Sequence, residues 1–102
     1  MMTIKEYVEK IETVVSKQFD LDIDVIKSKS RVQELVDARD VLVYLLSKYL
    51  DFSITKISKY LGRTQASIMY SLKKTTEGMK NSKYLLTQVR MCEKSLKEEL
   101  NL

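Results

Sequence analysis

Thr64, Gln65, Ala66, Ser67, Tyr70, Lys73 and Lys74 fall within one short stretch, and their types and spacing suit contact with a nucleic acid. On a helix that opens after Thr64, Gln65 and Ala66 lie at the start. Met69 and Tyr70 follow one turn on, and Lys73 and Lys74 a turn beyond. A glutamine amide can pair bidentately with adenine, and an alanine is small enough to approach the backbone or a thymine methyl. Thr64 and Ser67 can donate to phosphates or bases, while Tyr70 and Lys73 reach towards the sugar–phosphate backbone. A second candidate is Lys27-Ser28-Lys29-Ser30-Arg31, three cations in five residues. Cations just ahead of a helix are mildly unfavourable against its dipole. A solvated loop is the ordinary explanation, and a phosphate or groove that offsets the cost is the other.

Catalysis has little to work with. The chain holds no histidine, one cysteine and two glycines, so a Cys–His pair and a glycine-rich phosphate loop are both excluded. Cys92 sits at an apolar helical spacing and reads as a small core residue. Asp20, Asp22 and Asp24 alternate as in calcium loops, but lack the glycine and the distal bidentate glutamate such loops need. The expectation is therefore no enzyme, no metal, no cofactor and no small-molecule substrate.

The elements that must position the candidate residues are helical. In 102 residues there are no prolines, which favours helices joined by short connections in one domain spanning 1–102. Thr3 to about Gln18 carries Ile4, Tyr7, Val8, Ile11, Val14 and Val15 on one face, with Thr3 and Glu6 forming a capping box. Leu21, Ile23, Val25 and Ile26 anchor a short element. Ser30 is the expected cap of the longest helix, Val32 to Leu50, which is apolar on several sides and so central. Arg39, between Asp37 and Asp40, is expected to pair locally. Ser53 caps Ile54–Leu61, Gly62 supplies the sharp turn, and Thr64 caps a helix running to about Gly78. Ile68, Leu72 and Met79 face inward, with Thr75 or Thr76 between. A last helix, Ser82 to about Leu100, buries Tyr84, Leu85, Val89, Cys92, Leu96 and Leu100. The fold class is all-α, a compact bundle of about five helices containing a helix-turn-helix.

The net charge of +4 is unevenly placed. Residues 1–50 carry 8 basic and 9 acidic side chains, whereas 51–102 carry 10 and 5. Between Ser53 and Lys83 seven basic residues stand against Glu77 alone. A basic stretch of this kind suits a polyanion, although a solvated lysine face has the same composition. No apolar run approaches the ~20 residues that span a bilayer, and Met1–Phe19 is too charged for a signal peptide. A cytoplasmic, nucleoid-associated protein is expected.

From about Val15 to Met79 the chain resembles the C-terminal DNA-binding domain of the bacterial replication initiator DnaA, within the Trp-repressor-like helix-turn-helix superfamily. The resemblance rests on Val15-Ser16-Lys17-Gln18-Phe19, the basic loop Lys27–Arg31, Ala38-Arg39 leading to Tyr44-Leu45, and Ile57-Ser58-Lys59-Tyr60-Leu61-Gly62-Arg63-Thr64-Gln65-Ala66-Ser67-Ile68. It implies that the basic loop enters the minor groove, with Arg31 the best match to the inserted arginine. It also implies that the glycine-arginine segment opens a recognition helix in the major groove, with Arg63 kept. Thr64 and Gln65 stand where the family has an Asp-His pair, and Ala66 and Ser67 where it has Thr/Ser-Thr. Aspartate accepts from cytosine N4 better than Thr64 does, and Gln65 adds an adenine preference, so the family's usual target is not assumed.

The implied partner is double-stranded DNA, with a second copy or another replication protein as further candidates. The family's preceding ATPase module has no counterpart here, so ATP-dependent assembly is not carried over. Met1-Met2 reads as a natural start and favours a small independent protein, with Ser82–Leu100 an extra C-terminal helix. The rival reading is a helical interaction or dimerisation module without DNA binding. It would use an apolar stripe of Tyr7, Tyr84, Leu85, Val89 and Leu96.

Overall fold

A computed structural model describes residues 1–100 as six helices: α1 (Ile4–Phe19), α2 (Ile23–Ile26), α3 (Gln33–Leu50), α4 (Ile54–Leu61), α5 (Gln65–Asn81) and α6 (Lys83–Leu100). Local chemistry sets most of the ends. Thr3 Oγ1 accepts from the Glu6 amide while Glu6 Oε1 accepts from the Thr3 amide, which satisfies two orphan donors at the start of α1. Asp20 ends that helix in the left-handed region at φ 53°. Asp22 then turns its carboxylate to the Asp24 amide and caps α2. Of the aspartate trio only Asp22 caps through its side chain, and no group of three metal-ligating side chains gathers among the described residues.

The cap of α3 differs from expectation. Its N-cap is Val32, with no side-chain hydrogen bond, and Ser30 Oγ instead accepts from the Val32 amide one step too early. The backbone at Val32 is still extended, so the serine closes a turn of the loop rather than the helix. Val32 is 61% exposed.

α3 is the central helix and packs on α1, α5, α4 and α6. Ala38, Val41, Leu42, Leu45 and Leu46 are wholly buried, joined by Ile11, Val15, Ile57, Ile68, Val89, Cys92 and Leu96 from the helices around them. Each fully buried aliphatic side chain contributes roughly 1.5–3 kcal/mol of transfer free energy. Burial also pushes the Cys92 thiol up to about 12, with the nearby Glu93 carboxylate adding to the effect.

Two polar ties fix helices to α3. Ser71 of α5 donates to Asp40 Oδ1 at 2.6 Å. Glu93 of α6, 5% exposed, receives Lys48 Nζ at 2.5 Å and the Tyr49 hydroxyl at 2.8 Å. Burial alone would raise that carboxyl, but the two hydrogen bonds outweigh it and hold it below the usual range. Gly78 admits the close crossing of α5 and α6, since a Cβ there would lie 2.8 Å from Cδ2 of Leu85. α5 runs on to Asn81, past the end expected at about the glycine. Tyr84, expected inside, is 52% exposed, while Leu85 beside it is the residue of that turn that packs on the core.

Candidate nucleic-acid interface

α4, its turn and α5 form a helix-turn-helix whose geometry follows from four residues. Ser53 Oγ accepts from the Lys56 amide and caps α4. Gly62 closes it at φ 64°, a conformation glycine adopts without steric penalty. The Arg63 amide donates to Ser58 O at 3.0 Å, and the Ser58 hydroxyl donates back to the Arg63 carbonyl. Thr64 Oγ1 then accepts from the Ser67 amide and starts α5. Ile57, Leu61 and Ile68 seat the pair on the core, and that burial fixes which face of α5 looks outward.

That outward face carries Gln65, Ala66, Met69, Tyr70 and Lys73, all exposed, with Ser67 half-buried beside them. Met69 and Tyr70 are 56% and 66% exposed. Lys29 and Arg31 of the basic loop are exposed as well. The loop and α5 form the two walls of one groove of about 460 Å³. Lys29 and Arg31 line one wall, Thr64, Ser67 and Tyr70 the other, and Arg39, Asp40, Arg63 and Lys74 also border it. The structure thus gathers two segments that lie more than thirty positions apart in the chain.

Not every candidate cation is free. Lys27 Nζ lies 3.5 Å from Glu12 Oε2 and 4.5 Å from the Tyr60 ring centroid, and the Tyr60 hydroxyl donates to the same carboxylate. Lys27 therefore faces α1 and α4. Lys74 Nζ lies 2.8 Å from Asp40 Oδ2. Arg63 turns inward, its Nη2 donating to Ser28 O at 2.9 Å. Lys29, Arg31 and Lys73 form no ion pair among the described residues.

Arg39 overturns the local-pairing expectation. It is 6% exposed, and it donates Nε to Ile26 O at 2.9 Å and Nη2 to Ser30 O at 3.1 Å. Its acidic neighbours are engaged elsewhere, Asp40 with Ser71 and Lys74, Asp37 with Gln33. Desolvation lowers the Arg39 pKa, Arg63 lowers it further, and Asp40 opposes both. Sequence reasoning also passed over Ser28 as the acceptor for Arg63, because a backbone carbonyl leaves no trace in side-chain type.

The fold and this surface define a helix-turn-helix domain of the DNA-binding kind. Residues 8–75 match the bacterial DnaA protein helix-turn-helix family, and the chain belongs to it. It is 34% identical over 93 residues to the chromosomal replication initiator protein DnaA of Bacteroides thetaiotaomicron, covering 90% of this chain and 20% of that protein. Identity with the proteins of the same name from Bacteroides fragilis and Deinococcus deserti is 39% over 71 residues and 30% over 83 residues. These alignments cover 70% and 81% of this chain, and 15% and 18% of those proteins. The chain thus spans about a fifth or less of the length of the relatives it matches. No helix of the described residues is long and apolar enough to cross a membrane.

Proposed function

We propose that this domain binds duplex DNA by setting α5 in the major groove and the Lys27–Arg31 loop in the adjacent minor groove or on its phosphates. The observation that carries the reading is the shared groove. Thr64, Ser67 and exposed Tyr70 line one side of it and exposed Lys29 and Arg31 the other, and exposed Gln65, Ala66, Met69 and Lys73 continue the α5 face beside it. In this arrangement Gln65 and Ala66 read base edges, Thr64 and Ser67 bond bases or phosphates, and Tyr70, Lys73, Lys29 and Arg31 hold the backbone. Arg63 and Lys74 support the surface from behind, and Lys27 anchors the base of the loop. The names of the relatives support a replication-related setting, either as part of an initiator or as a regulator acting on related sites. A cytoplasmic, nucleoid-associated location follows from that.

The interaction-module reading loses its main support. Val89 and Leu96 are buried, and Tyr7 and Leu85 are half-buried. Only Tyr84 of the apolar stripe remains exposed. Titration of a mixed-sequence duplex at ~50 and ~200 mM salt tests the proposal, because a protein that neutralises several phosphates loses affinity steeply over that range. No binding at the lower salt would overturn it. Selection of bound sites from random duplexes would then identify the sequence.

A further inference from the structure

The basic loop is suspended from two guanidinium groups. The carbonyls of Ile26, Ser28 and Ser30, three alternate residues, all accept from arginines: Arg39 takes the first and third, and Arg63 the second. Inside the loop, Ser28 Oγ donates to Val25 O and accepts from the Ser30 amide, and Ser30 Oγ accepts from the Val32 amide. The backbone is thus fixed from within and from behind, and Lys29 and Arg31 remain exposed. Arg39 belongs to the central helix. Arg63 belongs to the helix-turn-helix turn, where Ser58 fastens both its amide and its carbonyl. A single side chain therefore connects the element that opens α5 to the loop across the groove.

We propose that Arg63 is a positioning residue: its guanidinium holds the Ser28 carbonyl so that the loop cations and the recognition helix meet DNA as one pre-set surface. The orientation supports this, because Nη2 is committed to the loop and Nε is buried without a partner. An arginine reserved for phosphate would project its fork to solvent. Holding the loop before binding removes an ordering cost from the complex, which is how pre-organisation raises affinity. Arg39 performs the same task from the core, but only Arg63 links the loop to the turn that opens α5. The inference rests on the DNA-binding reading for its consequence, but not for the tie itself.

The test has two arms. In the free protein, amide exchange at residues 28–31 is measured for wild type, Arg63→Met and Arg63→Lys. Methionine keeps the apolar stem, and lysine keeps the charge on a shorter stem without the fork. Both are expected to speed exchange in the loop about tenfold while α1 is unchanged, as for a local opening. Unchanged loop exchange overturns the tie. In the second arm, duplex affinity is measured for Arg63→Met, for Lys29→Ala/Arg31→Ala, and for the three combined. Action through the loop makes the combined loss smaller than the product of the separate losses, by at least about threefold. Losses that multiply, or an Arg63→Lys protein that binds like wild type, would mark Arg63 as an independent phosphate contact and overturn the proposal. A wild-type protein that binds no duplex would remove the proposed function while the exchange arm still reports on the tie.

Discussion

Lys74 and Asp40 are joined at 2.8 Å, and the same aspartate accepts the Ser71 hydroxyl from one turn earlier on α5. Two adjacent lysines on α5 therefore have different partners: Lys74 holds α5 to α3, while Lys73 points to solvent. Lys73→Ala is expected to weaken duplex binding alike on all sequences and to reduce the slope of log K against log salt by about 0.9. Lys74→Ala should change that slope less and instead lower stability by up to about 1 kcal/mol, the size of a partly exposed ion pair. Equal slope changes for the two would show that Lys74 leaves Asp40 for a phosphate.

Gln65 is exposed at the first position of α5, which in the proposed docking reaches base edges while the far end of the helix lies over the backbone. Gln65→Ala is expected to relax preference at one base pair, at a cost of ~1–3 kcal/mol on the preferred site and little on others. Binding measured on a panel of single-base variants checks this. A uniform loss across the panel would remove the base-reading role.

The Glu93 carboxyl supplies a pH-dependent increment of stability. Its pKa is lowered in the fold, so this stability is fully present above the unfolded value of about 4.3 and is lost as pH falls through the folded value. Glu93→Gln should cost about 1–3 kcal/mol at neutral pH, through the buried bonds to Tyr49 and Lys48. The gap between the two proteins should then narrow as the pH drops below about 4. Denaturant unfolding at several pH values measures it, and a constant gap would exclude the linkage.

Thr75 is 1% exposed, and its hydroxyl has no hydrogen-bond partner among the described residues. Thr75→Val keeps the shape and removes the unpartnered polar atom. It is expected to stabilise the protein by about 0.5–1.5 kcal/mol, read as a higher Tm with duplex affinity unchanged. A loss of stability would show that a water or backbone carbonyl satisfies the hydroxyl.

What could be read from the chain and what could not divide along sequence separation. The caps at Thr3, Ser53 and Thr64 and the left-handed turn at Gly62 depend on residues within three positions, and each appears in the fold as its sequence implies. The outward face of α5 was legible too, because its inward apolar residues Ile68, Leu72 and Met79 are periodic. Arg39 and Arg63 were not. Their partners are backbone carbonyls 13 and 35 positions away, and a carbonyl is the same whatever its side chain. Lys27 was misleading for a related reason. Its role is set by Glu12 and Tyr60, which only the packing of α1 against the loop brings within reach. A run of lysines and arginines states how much charge is present, but not which members of the run are already committed.

The Gly62 turn and the Thr64 cap hold the start of α5 through a backbone dihedral and one hydroxyl, so Gln65, Ala66, Met69 and Lys73 owe the core nothing. If α5 docks as proposed, exchanging those side chains alters what the surface recognises without altering what keeps the domain folded. Such a domain can drift to a new target site by single substitutions, each intermediate remaining a stable protein. Departures at these positions are then changes of address rather than signs of decay.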